Sequence, residues 1–184
     1  VGADNVLITS GSQQALDFIG RVLLDEGDRI LIESPTYLGA LQAWNAYGAK
    51  YETVNTDDNG IVPEDFEVKI GTNVKFAYIL PNFQNPMGVT LPLERRQKLV
   101  KIAAERGVPI IEDDPYGQLR FEGEPVKPLC VLDGELRKND GDKTFNGNVV
   151  YTSTFSKTLA PGLRMGWVVG HPDLIRKMVL AKQG

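Results

Sequence analysis

Short apolar runs rich in β-branched residues alternate along this chain with longer stretches whose apolar residues recur three or four positions apart, the pattern of strands separated by helices. VLIT at Val6 to Thr9 reads as a strand, and Gln13 to Leu24 as a helix with Leu16, Ile19, Gly20 and Leu23 on one face. The cycle recurs with RILIE at Arg29 to Glu33, a helix near Leu38 to Tyr47, KYETV at Lys50 to Val54, and a short helix near Pro63 to Ile70. FAYIL at Phe76 to Leu80 follows, then a helix from about Leu93 to Arg106 with Val100, Ala103 and Ala104 inward, then VPIIE at Val108 to Glu112. This alternation predicts an α/β fold, a three-layer sandwich whose mostly parallel mixed sheet is covered by helices on both faces.

The far end breaks the rhythm. VVYT near Val149 to Thr152 and MGWVVG near Met165 to Gly170 are joined by too little chain for a helical crossover, which predicts one antiparallel strand. A last helix is expected from about Pro172 to Lys182, stopping at Gly184. The polar, Gly/Asn-rich stretch Asp133 to Asn148 reads as an exposed loop.

With 184 residues, 42% hydrophobic and 24% charged, the chain has the balance of one compact globular domain. A net charge of -4 removes the basic footprint that phosphate-backbone binding needs, so nucleic acid is not an expected partner. One cysteine, Cys130, and one histidine, His171, leave no intrachain disulfide and no Cys/His metal cluster to build. No run approaches a membrane span and Val1 to Ser10 lacks the regions of a signal peptide, so the cytoplasm is the expected compartment.

Ligands of open α/β sheets bind beyond the carboxyl ends of the parallel strands. Five such ends are polar here: Ser10-Gly11-Ser12-Gln13, Ser34-Pro35-Thr36-Tyr37, Pro81 to Pro86, Asp113-Asp114-Pro115-Tyr116 and Ser153 to Lys157. Each feature has an ordinary reading. Ser10-Gly11-Ser12 can cap a helix, although a small-residue loop opening a helix is also an anion site. Asp113 can be a turn carboxylate, Lys157 a solvated lysine, and Arg164 an exposed arginine. The combination shifts the balance, because a lysine for a Schiff base and an acid for a pyridinium nitrogen are the protein's share of pyridoxal phosphate chemistry. Neither dinucleotide nor nucleoside-triphosphate phosphate loops occur.

The stretch TFSKTLAPGLRMGW, Thr154 to Trp167, closely resembles the lysine motif of class I/II aminotransferases, fold-type-I pyridoxal phosphate enzymes. SGSQQAL from Ser10, ESPTY from Glu33, PNFQNPMG from Pro81 and EDDPYG from Glu112 resemble the same family in the same order, so the likeness spans nearly the whole chain. It is nearest the 2-aminoadipate and kynurenine aminotransferase branch. Departures are mild: Thr154 stands where serine is frequent, and Met87 where threonine is frequent.

The resemblance implies that residues 1–184 are the cofactor-binding large domain, without an N-terminal segment and a small C-terminal domain that carries the substrate-carboxylate arginine. It makes Lys157 the Schiff-base lysine and general acid/base, and Asp113 the partner of the pyridine nitrogen. Asn85 and Tyr116 would bond the cofactor's phenolic oxygen, with Tyr116 counted among the catalytic residues, and Tyr37 would stack on the ring. Ser12, Gln13, Thr154, Ser156 and Arg164 would hold the phosphate, and Pro115 would line the pocket. The implied activity is amino transfer from 2-aminoadipate, an aromatic or an aliphatic amino acid, with 2-oxoglutarate as expected acceptor, by a cytoplasmic homodimer. The rival reading is the effector domain of a transcription regulator that fuses a winged helix to a domain resembling these enzymes. Asn85 argues against it, because the matching stretch there usually lacks that amide. A lyase on the same scaffold is a third reading.

Elsewhere the ordinary readings stand. His171 is expected to cap a helix or lie on the surface, and Cys130 to fill apolar space. Trp44 and Trp167 read as core aromatics, and Arg95 and Arg96 as a solvated pair on a polar helix face.

Overall fold

The computed structural model describes residues 1–71, 73–137 and 145–183. Its strands are β1 (Val6–Thr9), β2 (Arg29–Glu33), β3 (Lys50–Val54), β4 (Thr56–Asp57), β5 (Gly60–Ile61), β6 (Val74–Ile79), β7 (Ile110–Asp113), β8 (Val149–Thr154) and β9 (Gly166–Val169). Its α-helices are α1 (Ser12–Leu23), α2 (Leu38–Asn45), α3 (Pro63–Lys69), α4 (Leu93–Arg106), α5 (Leu129–Leu136), α6 (Phe155–Thr158) and α7 (Pro172–Gln183). Seven strands form one sheet in the order β1-β9-β8-β7-β6-β2-β3, and β4 and β5 make a separate hairpin.

The strands from β8 to β3 pair in parallel, while β9 runs antiparallel to both β1 and β8. That single reversal has a plain cause: the segment between β8 and β9 holds only the one-turn α6 and a 3-10 turn at Pro161–Leu163, too little for a right-handed crossover.

Alternate side chains of the central strands feed two cores. Ile30, Ile32, Phe76, Tyr78 and Ile111 pack with Leu16, Ile19, Trp44 and Met178 from α1, α2 and α7. Leu31, Ala77, Ile79, Ile110 and Val149 pack on the other face with Phe66, Leu99, Val100, Ala103, Leu129 and Leu132 from α3, α4 and α5. The three-layer architecture follows. Trp44 lies edge-on to Phe76 and Tyr78 at ring distances of 5.1 and 5.0 Å, and its indole N–H donates to the Leu16 carbonyl. Trp167 is only partly buried and packs against Phe155. His171 accepts from the Asp173 N–H at the start of α7, a capping role.

The stretch from Asp133 to Asn148 is not simply an exposed loop. Its first residues, Asp133 to Leu136, continue α5, and Asp133 is buried; its carboxylate accepts the Asn148 and Val149 N–H groups and pairs with Arg137 at 2.8 Å. Residues 138–144 lie outside the described residues. The helix escapes sequence patterning because its cap comes from a distant residue: Glu112, at the end of β7, accepts the Leu129 and Cys130 N–H groups at 2.8 and 2.9 Å.

Candidate active site

The sheet end where β1, β7 and β8 finish opens on a cavity of about 270 Å³. Every residue that the resemblance places at the cofactor lines it: Ser12, Gln13, Tyr37, Asn85, Asp113, Pro115, Tyr116, Thr154, Ser156, Lys157 and Arg164. Leu80 joins them, one residue past β6 and last in the FAYIL run.

One wall is the start of α1. Gly11, at φ 80°, is the N-cap residue and offers no side-chain cap, so serine capping does not occur and the first N–H groups of α1 remain open to an anion. A Cβ on Gly11 would lie 2.8 Å from Nη2 of Arg164, so the guanidinium sits directly on this turn. Arg164 itself adopts a left-handed conformation at φ 49°. A Cβ on Gly166 would fall 2.7 Å from the Gly11 carbonyl carbon and 2.9 Å from Ser12 N, so β9 and the α1 turn meet backbone to backbone. The Thr154 hydroxyl caps α6 by accepting the Ser156 N–H at 3.1 Å, lies 3.0 Å from Ser156 Oγ, and is within donating distance of the Met165 carbonyl. Lys157, one residue further along α6, is exposed and lines the same cavity.

An acid lines the same cavity. Asp113 ends β7 and is 2% exposed. Its Oδ2 accepts the Tyr78 hydroxyl at 2.7 Å, whereas Oδ1 is buried with no partner. Burial pushes this carboxyl up to about 7, opposed by the Tyr78 hydrogen bond and assisted by the Asp114 charge. The same burial, together with Asp113, raises the Tyr78 phenol well above its ordinary value, and Tyr37 is raised by desolvation and then by Asp113 and Tyr116.

Two loops hold the remaining groups. The Gln13 amide donates to the Gly39 carbonyl at 2.8 Å, and the Gln84 amide donates to the Pro35 carbonyl at 2.8 Å while accepting the Met87 N–H. The loop bearing Asn85 is thus tied to the loop bearing Tyr37. Glu33 is buried behind them, accepting the Leu80 N–H at 2.9 Å, with its carboxyl pushed up to about 8 by desolvation.

Sequence reasoning missed the supporting residues, and one expectation is overturned. Arg95 pairs with Asp57 at 2.7 Å near the surface, but Arg96 is fully buried, bonded to the carbonyls of Pro81, Leu91, Val126 and Lys127 and to Asn82 Oδ1. Adjacent arginines point to different sides of a helix, and α4 turns the second toward the sheet. Asn82 and Asp114 lie inside the matched motifs but had no role assigned from them, and Tyr78 had only the inward period of its strand as a signal. Among the described residues no group of His, Cys, Asp and Glu could hold a metal ion, and no helix is long and apolar enough to cross a membrane.

The family profile described as aminotransferase class I and II matches residues 1–184. Aromatic-amino-acid aminotransferase 1 of Thermococcus litoralis is 45% identical over 97% of this chain and 42% of its own length. The 2-aminoadipate transaminase of Thermus thermophilus is 43% identical over 100% of this chain and 45% of its own. Among solved structures, the Pyrococcus horikoshii kynurenine aminotransferase, described in complex with PMP, superposes with a TM-score of 0.87 at 47% identity, covering 100% of this chain and 44% of that one. A helix-turn-helix transcriptional regulator of Bacillus subtilis matches at a lower 34% identity. The chain spans less than half the length of these two curated enzymes. With the profile covering every residue and the cavity built from the motifs that match, the chain belongs to the class I and II aminotransferase family.

Proposed function

We propose that this chain is the cofactor-binding large domain of a pyridoxal phosphate-dependent aminotransferase. The observation that carries the reading is the unpartnered, buried Oδ1 of Asp113 in the same cavity as the Lys157 ammonium, the Arg164 guanidinium and the open α1 N-terminus. A buried carboxylate oxygen without a donor is unfavourable by itself, so it fits a ligand that brings its own N–H, as a protonated pyridine does. The anion end fits as well: helix N–H groups, three hydroxyls and a guanidinium converge where a phosphate would sit.

When bound, the cofactor supplies an electron sink for the charge left as the substrate Cα–H bond breaks. Asp113 Oδ1 would accept the ring N–H, and the opposite charges would favour the ionised form of each partner. Ser12, Gln13, Thr154, Ser156 and Arg164 would hold the phosphate, Tyr37 would stack on the ring, Pro115 lines the pocket, and Asn85 and Tyr116 would bond the phenolic oxygen. Lys157 would hold the cofactor through Nζ, and with that amine free it would serve as the general base for the proton on the substrate Cα.

The names of the relatives support an aromatic amino acid or 2-aminoadipate as donor; 2-oxoglutarate as acceptor and a cytoplasmic homodimer rest on the family resemblance alone. Kinetics of the complete protein should be ping-pong. The test is a visible spectrum with added cofactor, then borohydride reduction and peptide mapping: the reading requires the modification at Lys157, and an unmodified Lys157 refutes it. The regulator reading is favoured instead if the complete protein binds cofactor at Lys157 yet transfers no amino group and binds a DNA operator.

A further inference from the structure

The two loops that carry Asn85 and Tyr116 are joined behind the cavity by a residue that does not line it. Arg96 is 0% exposed and spends all five of its N–H donors. Nε donates to Leu91 O at 2.8 Å, Nη1 to Lys127 O at 3.2 Å and Val126 O at 3.4 Å, and Nη2 to Pro81 O at 2.8 Å and Asn82 Oδ1 at 2.7 Å. Among the described residues no carboxylate pairs with it. Because Arg96 takes the Asn82 carbonyl, the Asn82 amide nitrogen is directed the other way, donating to Asp114 Oδ1 at 3.0 Å. The same Oδ1 accepts the Gly117 N–H at 2.9 Å, and the Asp114 backbone carbonyl accepts the Ser153 hydroxyl at 2.7 Å. A Cβ on Gly117 would collide with the Asp114 carboxylate and lie 2.9 Å from Asn82 Nδ2, so the turn is closed around this contact.

We propose that Arg96 is a positioning residue that sets the spacing of Asn85 and Tyr116 through the relay Arg96–Asn82–Asp114–Gly117. Arg96 grips the 81–85 loop at Pro81 O and Asn82, and through the Asn82 amide it fixes the turn at residues 114–117. Burial lowers the guanidinium's hold on its proton, and the Glu112 and Asp114 carboxyls facing it oppose that cost only in part. Lysine cannot replace it, having three donors on a point charge where five in a planar fork are used.

Its role at the cofactor rests on the function proposed above, so the experiment has two arms on the complete protein, comparing wild type with Asn82→Ala, Arg96→Lys and Arg95→Ala. Asn82→Ala breaks the relay without burying an unpaired charge, so it keeps the test valid if Arg96→Lys fails to fold. In the first arm, hydrogen exchange of cofactor-free protein is read over residues 114–119. Asn82→Ala should speed exchange there about tenfold, the loss expected for one hydrogen bond to a charged group, with Arg95→Ala unchanged. In the second arm, the pH midpoint of the bound cofactor's visible band is titrated. Asn82→Ala and Arg96→Lys should move it by about one unit, because Asn85 and Tyr116 bond the oxygen whose charge that band reports, whereas Arg95→Ala should not. Unchanged exchange in Asn82→Ala overturns the relay, whatever the cofactor does. Faster exchange with an unmoved midpoint overturns its role at the cofactor, and absence of any cofactor band in wild type refutes the proposed function instead.

Discussion

Where the parallel strands begin, Lys75 reaches Asp28 at 3.0 Å and Asp25 at 3.7 Å, and Arg29 faces Glu52 at 3.8 Å, all with solvent access. Where they finish, Glu33, Glu112, Asp113 and Asp114 are all buried. At the first end each of these charges has an opposite partner and solvent access besides. At the second, the carboxylates are held by backbone N–H groups, hydroxyls and an amide, and one oxygen, Asp113 Oδ1, is left with nothing. Solvated pairs contribute little and tolerate loss, while buried acids persist only where the surroundings or a ligand compensate them. The difference marks the second end as the one built for chemistry.

The sharpest break between the two ends is Lys157→Ala, expected to lower turnover of the complete protein by at least about 10²–10⁴-fold, the share of a general base alone. Steady-state rates check it, and a variant retaining near-native turnover would erase the distinction. Next is Asp113→Asn, expected to cost about 10²–10³-fold in rate while the phosphate grip keeps cofactor affinity much closer to native; rate and dissociation constant are measured separately.

The same residue carries a stability signature of definite sign. The Asp113 carboxyl rises from 3.8 in the unfolded chain to about 7 in the fold, so between those values the native state binds more protons and stability falls as pH rises. Glu112, at about 7, and Glu33, at about 8, act in the same direction. Asp28 and Asp65, lowered by hydrogen bonds, act oppositely, losing their contribution only as pH falls through and below the ordinary carboxylate range. Cofactor-free protein should therefore melt at a higher temperature near pH 5 than at pH 8, and Asp113→Asn should flatten that slope. Thermal melts across pH decide it, and a slope unaltered by the substitution contradicts the burial argument.

Gly166→Ala should follow, destabilising by about 1–3 kcal/mol in urea unfolding, because the methyl meets the Gly11 and Ser12 backbone rather than a movable side chain. Lys75→Ala should be smallest, less than about 1 kcal/mol, with the cofactor spectrum unaltered.

Much of this was legible from patterning because a local period records burial. RILIE and KYETV coincide with β2 and β3, and the helix from Leu93 to Arg106 coincides with α4. The site residues were legible through topology, since parallel strands bring their carboxyl ends to one rim whatever the intervening helices contain. Where a feature depended on a partner far along the chain, the pattern failed. α5 relies on Glu112, some 17 residues before its first N–H, and nothing in the run around Leu129 announces that carboxylate.

Arg95 and Arg96 show the same boundary at the scale of one residue. Their sequence alone determined that two guanidiniums lie side by side on a helix that also presents Val100 and Ala103 to the sheet. Only the tertiary structure decided that the first meets Asp57 at the surface and the second enters the interior, because five carbonyl and amide oxygens from three separate segments converge there to receive it. Local pattern records how much surface a segment must hide; which polar groups can be hidden with it is settled by what the rest of the chain brings within hydrogen-bond reach.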